Sequence, residues 1–265
     1  MNIDNTTSLS LIRQIQDQQD RALERLSSGK RVNSAADDSA AQQIIDRLTS
    51  QVEGNRQSIS NAYDGVSLAQ VAESGLQGIN DDAQRIRELS VQAGNGALND
   101  ADRQALQSEI TQLQDNITQT IEQTNFGGRS LLSSNGSIDF QVGANAGQQI
   151  SVSTNDVQAE LNDLLNVDVS TAAGAQNALD VADVALEFVG SARGDLGAVQ
   201  NQFESTARNL TQTDINVSAA RSRIQDTDFA QTTSESAAAG VLGQSALSVQ
   251  AQANQSQGQV LTLLS

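Results

Sequence analysis

Residues 41–69 read AQQIIDRLTSQVEGNRQSISNAYDGVSLA. Apolar and small residues recur in alternating steps of four and three: Ala41, Ile45, Leu48, Val52, Asn55, Ile59, Ala62, Val66, Ala69. That spacing places one stripe along one side of an α-helix, with polar residues on the other sides. The stripe continues through Glu73, Leu76, Ile79, Ala83 and Ile86 to about Val91. A helix of some fifty residues spans roughly 75 Å, so this stretch predicts a long rod rather than a rounded core.

Composition agrees. The chain has 265 residues, 37% of them hydrophobic and 2% aromatic, too few large side chains for a thick core. Pro is absent, which removes the main interrupter of long helices. Outward from 41–69, a second long stripe runs from about Ala172 through Leu179, Ala182, Leu186, Val189, Leu196, Val199, Phe203, Ala207, Leu210 and Val217. It is expected to pack antiparallel on the first. A shorter helix starts at Asn99 or Asp100, after the turn Gly94-Asn95-Gly96, with Leu106, Ile110, Leu113, Ile117 and Ile121 as its seam. It is expected to end at 125–128. The period then changes to two over Ile138, Phe140, Val142, Ile150 and Val152, around 143–147, which predicts one β-hairpin near 138–153.

Both ends repeat the helical stripe with smaller residues. Near the start it passes Ile12, Ile15, Ala22 and Leu26, and is expected to stop at Ser28-Gly29. Near the end it passes Ala239, Leu242, Ala246, Val249, Val260 and Leu263. Residues 236–265 carry no charge, although the whole chain has a net charge of −17. Five bases and four acids fall within 1–34, and Glu235 is the last charged residue, so the negative charge lies in 35–234. An acidic middle is a poor partner for nucleic acid or an anionic membrane. The tail is interrupted by Gln and Asn too often to span a bilayer. It reads as a segment to be buried against other chains.

The predicted fold class is mainly α. It is a long antiparallel helical bundle or coiled coil with one small β-hairpin, plus a terminal two-helix layer. The predicted division is 1–34, an N-terminal helix; 35–234, the bundle; and 235–265, a C-terminal helix. Polar connectors at 30–40 and 223–228 join the layers, with Asp37 or Asp38 suited to cap the long helix. The terminal helices are expected to gain order only when copies stack, because small seams bury little.

There is no His and no Cys, which removes His-based triads, HExxH zinc sites and thiol nucleophiles. Acid pairs such as Asp37-Asp38 and Asp81-Asp82 lack the twelve-residue calcium loop and read as solvated or capping acids. No enzyme, cofactor or metal is predicted. The first thirty residues contain no apolar run of signal-peptide length.

The same residues resemble bacterial flagellin. Residues 25–38, RLSSGKRVNSAADD, are similar to the family's N-terminal signature, and 222–230, SRIQDTDFA, to its C-terminal counterpart. TNFGG at 124–128, QVGAN at 141–145, ANQ at 253–255 and VLTLL at 260–264 match its middle and end. Ser256 departs from a Pro common near the last turns. Too few residues separate Phe126 from the second long helix for the outer variable domains of larger relatives. The resemblance implies a subunit that polymerises with itself into the extracellular filament of the bacterial flagellum, serving motility. It implies type III export without a cleaved signal peptide, an export chaperone on the C-terminal helix, and contact with the filament cap and hook-associated proteins. It also implies recognition of the monomer by host Toll-like receptor 5, with Arg85, Leu89 and Glu109 at the matching positions. Read as ordinary helix, Leu89 is seam and Arg85 a solvated base. The alternatives are a hook–filament junction protein and a secreted, non-polymeric receptor ligand.

Overall fold

The computed structural model describes residues 5–264, with side chains described from Ser10 to Ser256 and at Gln259. Among the described residues, seven helices and four strands follow in the order α1 (Asn5–Ser28), α2 (Ser39–Ala93), α3 (Asp100–Gln123), β1 (Asn125–Phe126), β2 (Arg129–Ser130), β3 (Ser133–Gln141), β4 (Gln149–Asp156), α4 (Val157–Glu160), α5 (Asn162–Leu165), α6 (Ala172–Gln225) and α7 (Phe229–Leu264). The chain divides into two compact units, residues 1–52 with 215–265, and residues 53–214. The division falls inside α2 and α6 rather than at the connectors.

In the unit of residues 53–214, α2 and α6 run antiparallel. Arg56 pairs with Asp214, Gln200 donates to Glu73, and Arg87 pairs with Asp183, so partners move down α6 as α2 ascends. The predicted stripes form the core: Ala62, Ala69, Leu76, Ile79, Ala83, Ile86 and Leu89 from α2, Ala182, Val189, Leu196, Phe203 and Ala207 from α6, and Ile110, Ile117 and Ile121 from α3. At several positions the buried residue is the neighbour of the one read from the sequence: Ala72 beside Glu73, Ala178 beside Leu179, Ala185 beside Leu186, and Ser58 beside Ile59. Ser58 is buried and Ile59 is half-buried, because Ser58 Oγ donates back to Gly54 O at 2.8 Å and needs no outside partner.

Helix α3 starts at an N-cap, Asn99. Its side chain accepts from Asp102 N, and the Asp102 carboxylate accepts the Asn99 N–H, a reciprocal capping box. The turn before it is held by Arg103, which is nearly buried. Its Nε donates to Ala93 O at 3.1 Å and its Nη2 to Asn95 O at 3.2 Å. The first satisfies a carbonyl that the end of α2 leaves without a helical partner, and the second adds to the Leu98 N–H already on Asn95 O.

The hairpin is longer than the alternation alone indicated, pairing β3 with β4 from Ser133↔Asp156 to Gln141↔Gln149. A second, two-residue pair, β1 with β2, turns through Gly127 and Gly128, both at positive φ. It shortens α3, which ends at Gln123 rather than at 125–128. The segment after β4 forms two single-turn helices, and glutamines of α3 hold the chain there: Gln114 Nε2 donates to Leu164 O, and Gln107 accepts from Val169 N. Alternation missed all of this because these contacts are made by side chains distant in sequence.

The hairpin rests on α2 where α2 is smallest. Asn61 Nδ2 donates to Gln141 O at 2.8 Å, and a Cβ on Gly54 would lie 2.9 Å from Ala144 Cβ. Phe140 meets Phe203 edge-on, ring centroids 5.4 Å apart. Phe203 fills the space over Gly65, where an added Cβ would collide with its ring. Gly65→Ala therefore sets a helix gain of about 0.5–1 kcal/mol against overpacking of about 1–3 kcal/mol. A lower melting temperature is expected. Gly190→Ala or Gly194→Ala, where a Cβ meets nothing within 4 Å, is expected to raise it; thermal unfolding by circular dichroism checks both signs.

Candidate self-assembly surface

The surface is built from the connectors outward, within the unit of residues 1–52 and 215–265. Helix α1 ends at Gly29, whose φ of 69° lets its N–H return to Arg25 O at 2.8 Å. The chain then pairs with the other connector through backbone groups. Lys30 bridges Asp226, Arg31 N donates to Gln225 O, and Thr227 N donates to Gly29 O. Arg31 adds a guanidinium bond to Ile224 O at 2.6 Å. Val32 is buried with Ala41 and Ile45 beside Ile224, a small core that fixes this junction.

Three carboxylates shape the turns, and the sequence named two of them as alternatives where the structure uses both. Asp38 Oδ1 accepts Ala41 N at 2.9 Å and caps α2. Asp37 Oδ2 accepts the N–H groups of Asn33 and Ser34, each at 3.0 Å, and the Ser34 hydroxyl at 3.2 Å. Asp228 Oδ1 accepts Ala230 N and Gln231 N at the start of α7. The N–H groups of Ser34 and Asn33 hold the Asp37 carboxyl below its ordinary 3.8.

With both ends delivered side by side, α1 and α7 pack along each other. Ile15, Ala22 and Ala239 are buried between them, and Ile12, Leu26 and Ala246 are half-buried. Two of the residues placed on the α7 stripe are not there. Leu242 and Val249 point outward, 56% and 61% exposed. The inner stripe is instead Thr232, Ser236, Ala239, Gly243, Ala246, Gln250 and Ala253, which keeps the same rhythm of four and three. The physical reason is close approach. A Cβ on Gly243 would lie 3.5 Å from Ile15 Cγ2, and one on Gly240 would lie 3.8 Å from Gln19 Nε2, so small residues face α1 and branched ones are turned away. Val260 and Leu263 lie outside the described side chains.

Val241 and Leu247 join Leu242 and Val249 as exposed branched residues of α7, and Leu11 and Leu23 are exposed on α1. Val241, Leu247 and Leu11 were not singled out in the sequence. The signal that finds them is Gly243, which marks the side of α7 that must be smallest.

The receptor-matching residues lie on α2 and α3, in the other unit. Arg85 donates to Glu109 Oε1 at 3.0 and 2.7 Å and to Glu88 Oε2 at 3.1 Å, and its side chain and that of Glu109 are about half exposed. Leu89 is 1% exposed and belongs to the core. Among the described residues no cluster of acids is arranged to hold a metal ion, and no helix is long and apolar enough to cross a membrane.

Paired terminal helices that leave branched apolar side chains exposed, joined to a separately packed helical unit, are the architecture of a structural subunit. The comparisons with known proteins say which kind. The bacterial flagellin N-terminal helical region matches residues 1–137, and the bacterial flagellin C-terminal helical region matches 179–264. The flagellin of Bacillus subtilis (strain 168) is 39% identical over 91% of both chains. Flagellin B of Vibrio cholerae is 30% identical over 99% of this chain and 98% of its own, in an alignment 368 positions long, so it carries segments that these 265 residues lack. The crystal structure of Bacillus cereus flagellin superposes with a TM-score of 0.54 at 26% identity, over 61% of this chain and 94% of that one. The chain belongs to the bacterial flagellin family, and is a structural subunit of the flagellar filament.

Asp37 gives the junction a dependence on pH in the acid range. Its folded-state pKa lies below the unfolded value, so its bonds contribute fully above pH 3.8 and are lost as pH falls through the lowered value. The amide resonances of Asn33 and Ser34 are expected to shift together in that acid range, and Asp37→Asn is expected to abolish the step, as NMR titration would record.

Proposed function

We propose that α1 and α7 form the inner polymerisation layer of the filament, and that the outer side of α7 is the face on which a neighbouring copy packs. One observation supports this most. Val241, Leu242, Leu247 and Val249 are exposed on a helix that carries no charge from residue 236 onward. Burying such a side chain is worth about 1.5–3 kcal/mol. Within one chain the pair buries Ile15, Ala22 and Ala239, too little for the two helices to be firm by themselves. Stacking supplies the rest.

In this reading Ile12, Ile15, Ala22, Leu26 and Ala246 join α1 to α7, Leu242 and Val249 reach the next copy, and Val260 and Leu263 extend the same helix. Residues 1–34 and 235–265 serve the inner layer and 35–234 the bundle. Before assembly the uncharged C-terminal helix is the surface for an export chaperone. The chain leaves the cell through the flagellar export route without a cleaved leader, and meets the filament cap and hook-associated proteins outside.

The test uses electron microscopy of concentrated protein. A chain ending at Ser234, and separately Leu242→Asp with Val249→Asp, are expected to remain helical and form no filaments. Normal tubes from either would overturn the proposal. Lower ionic strength is expected to weaken assembly of the parent, because the −17 net charge repels between copies with less screening.

We further propose that the monomer is recognised by Toll-like receptor 5, with the exposed Arg85–Glu109 pair as the contact and buried Leu89 as its support. Arg85→Ala is expected to reduce activation of receptor-bearing cells and leave thermal unfolding unchanged. Leu89→Ala is expected to lower both, the stability by about 2–5 kcal/mol. Full activation by Arg85→Ala would defeat this reading.

A further inference from the structure

The turn between α2 and α3 carries the dipeptide Asn95-Gly96, and the same dipeptide recurs at Asn135-Gly136. Asn95, Gly96 and Ala97 are exposed. The Ala97 N–H donates to Asn95 Oδ1 at 3.1 Å. That bond closes a turn of the side chain over the following residue, in an exposed segment outside any helix or strand. It also polarises the Cγ–Oδ1 bond and is placed to stabilise negative charge developing on that oxygen. Gly96 presents no Cβ to hinder its nitrogen.

We infer that Asn95-Gly96 is a site of spontaneous deamidation and backbone rearrangement in the folded protein. The Gly96 nitrogen gives up its proton to hydroxide and attacks Asn95 Cγ. A carbon–nitrogen bond forms, and the oxygen takes negative charge against the Ala97 N–H. The side-chain nitrogen then leaves as ammonia, its extra proton coming from water. The cyclic imide that remains is opened by one water molecule. Opening at Cγ gives aspartate; opening at the main-chain carbonyl gives isoaspartate, whose chain runs through the former side chain. The balance is one water consumed and one ammonia released, with no oxidant or reductant.

The surroundings choose between the products. The main-chain oxygen of Asn95 accepts Nη2 of nearly buried Arg103 at 3.2 Å. In the isoaspartyl product this carbonyl has become a free carboxylate, so the bond to Arg103 becomes charge-assisted and stronger. In the cyclic imide the same donor polarises the main-chain carbonyl, so water is directed there and isoaspartate is favoured. Asn135 is held differently. Its Oδ1 accepts Asp156 N at 2.9 Å, and Gly136 is paired with Thr154 across the hairpin. Asn135 Oδ1 thus also meets an N–H, but Asn135 and Gly136 lie within strand β3, and the pairing of Gly136 restrains the backbone that must bend to close the imide.

The experiment incubates the folded full-length chain at mildly alkaline pH and maps peptides by mass spectrometry after cleavage at arginine. Fragmentation that distinguishes isoaspartate from aspartate is applied to the peptide of residues 88–103. Conversion at residue 95 is expected to outpace residue 135 several-fold, to rise with pH and to yield isoaspartate in excess. A Cβ at Gly96 meets nothing within 4 Å, so Gly96→Ala is expected to fold as the parent does while slowing conversion several-fold. The inference is overturned if residues 95 and 135 convert equally in the folded chain, if residue 95 stays intact, if aspartate predominates there, or if Gly96→Ala converts as fast as the parent.

Discussion

Backbone pairing between the two connectors is the constraint on which the terminal helices depend. Residues 29–32 and 224–227 exchange hydrogen bonds although nearly two hundred residues separate them, and Val32 seals the junction with apolar contacts. Each connector is also closed locally, by Asp37 and Asp38 on one side and Asp228 on the other. With both exits fixed, α1 and α7 must leave side by side. Their own contacts then need only be small ones, and they are: Ile15 against Gly243, Gln19 beside Gly240.

This arrangement separates two tasks on one helix. The inner side of α7 is Thr, Ser, Ala, Gly and Gln, whose value is closeness rather than buried area. The rest of its circumference exposes Val241, Leu242, Leu247 and Val249, which offer area. A helix with Leu on its inner side would hold its own chain more firmly and leave less for others. The net negative charge lies in 35–234, where it opposes indiscriminate sticking, and residues 236–265 carry none.

Much of this was legible in the sequence. The four-three rhythm of Ala41 to Ala69 and of Leu179 to Val217 placed both long helices and most of their buried residues, and Gly29 marked the end of α1. The rhythm was less reliable where every candidate is small. On α7 the stripes through Leu242 and through Gly243 have the same period, and apolarity favours the wrong one. Only the approach of Ile15 decides between them. The β1–β2 pair and the short helices after β4 escaped for another reason: they are held by Gln107, Gln114 and glycines at positive φ, which leave no periodic trace. Leu89 shows the limit of transferring roles by position, since the residue at the matching position is packed in the core.

Arg103 carries a consequence for the cost of loop closure. The end of α2 is closed by a side chain only ten residues further on, in the first turn of α3, so neither end is complete without the other. The two helices and the turn between them thus form one local unit whose loop is cheap to close. The connectors stand at the opposite extreme, since almost the whole chain must be in place before Arg31 can find Ile224. Loop closure is therefore cheapest at the α2–α3 turn and costliest at the meeting of the two ends.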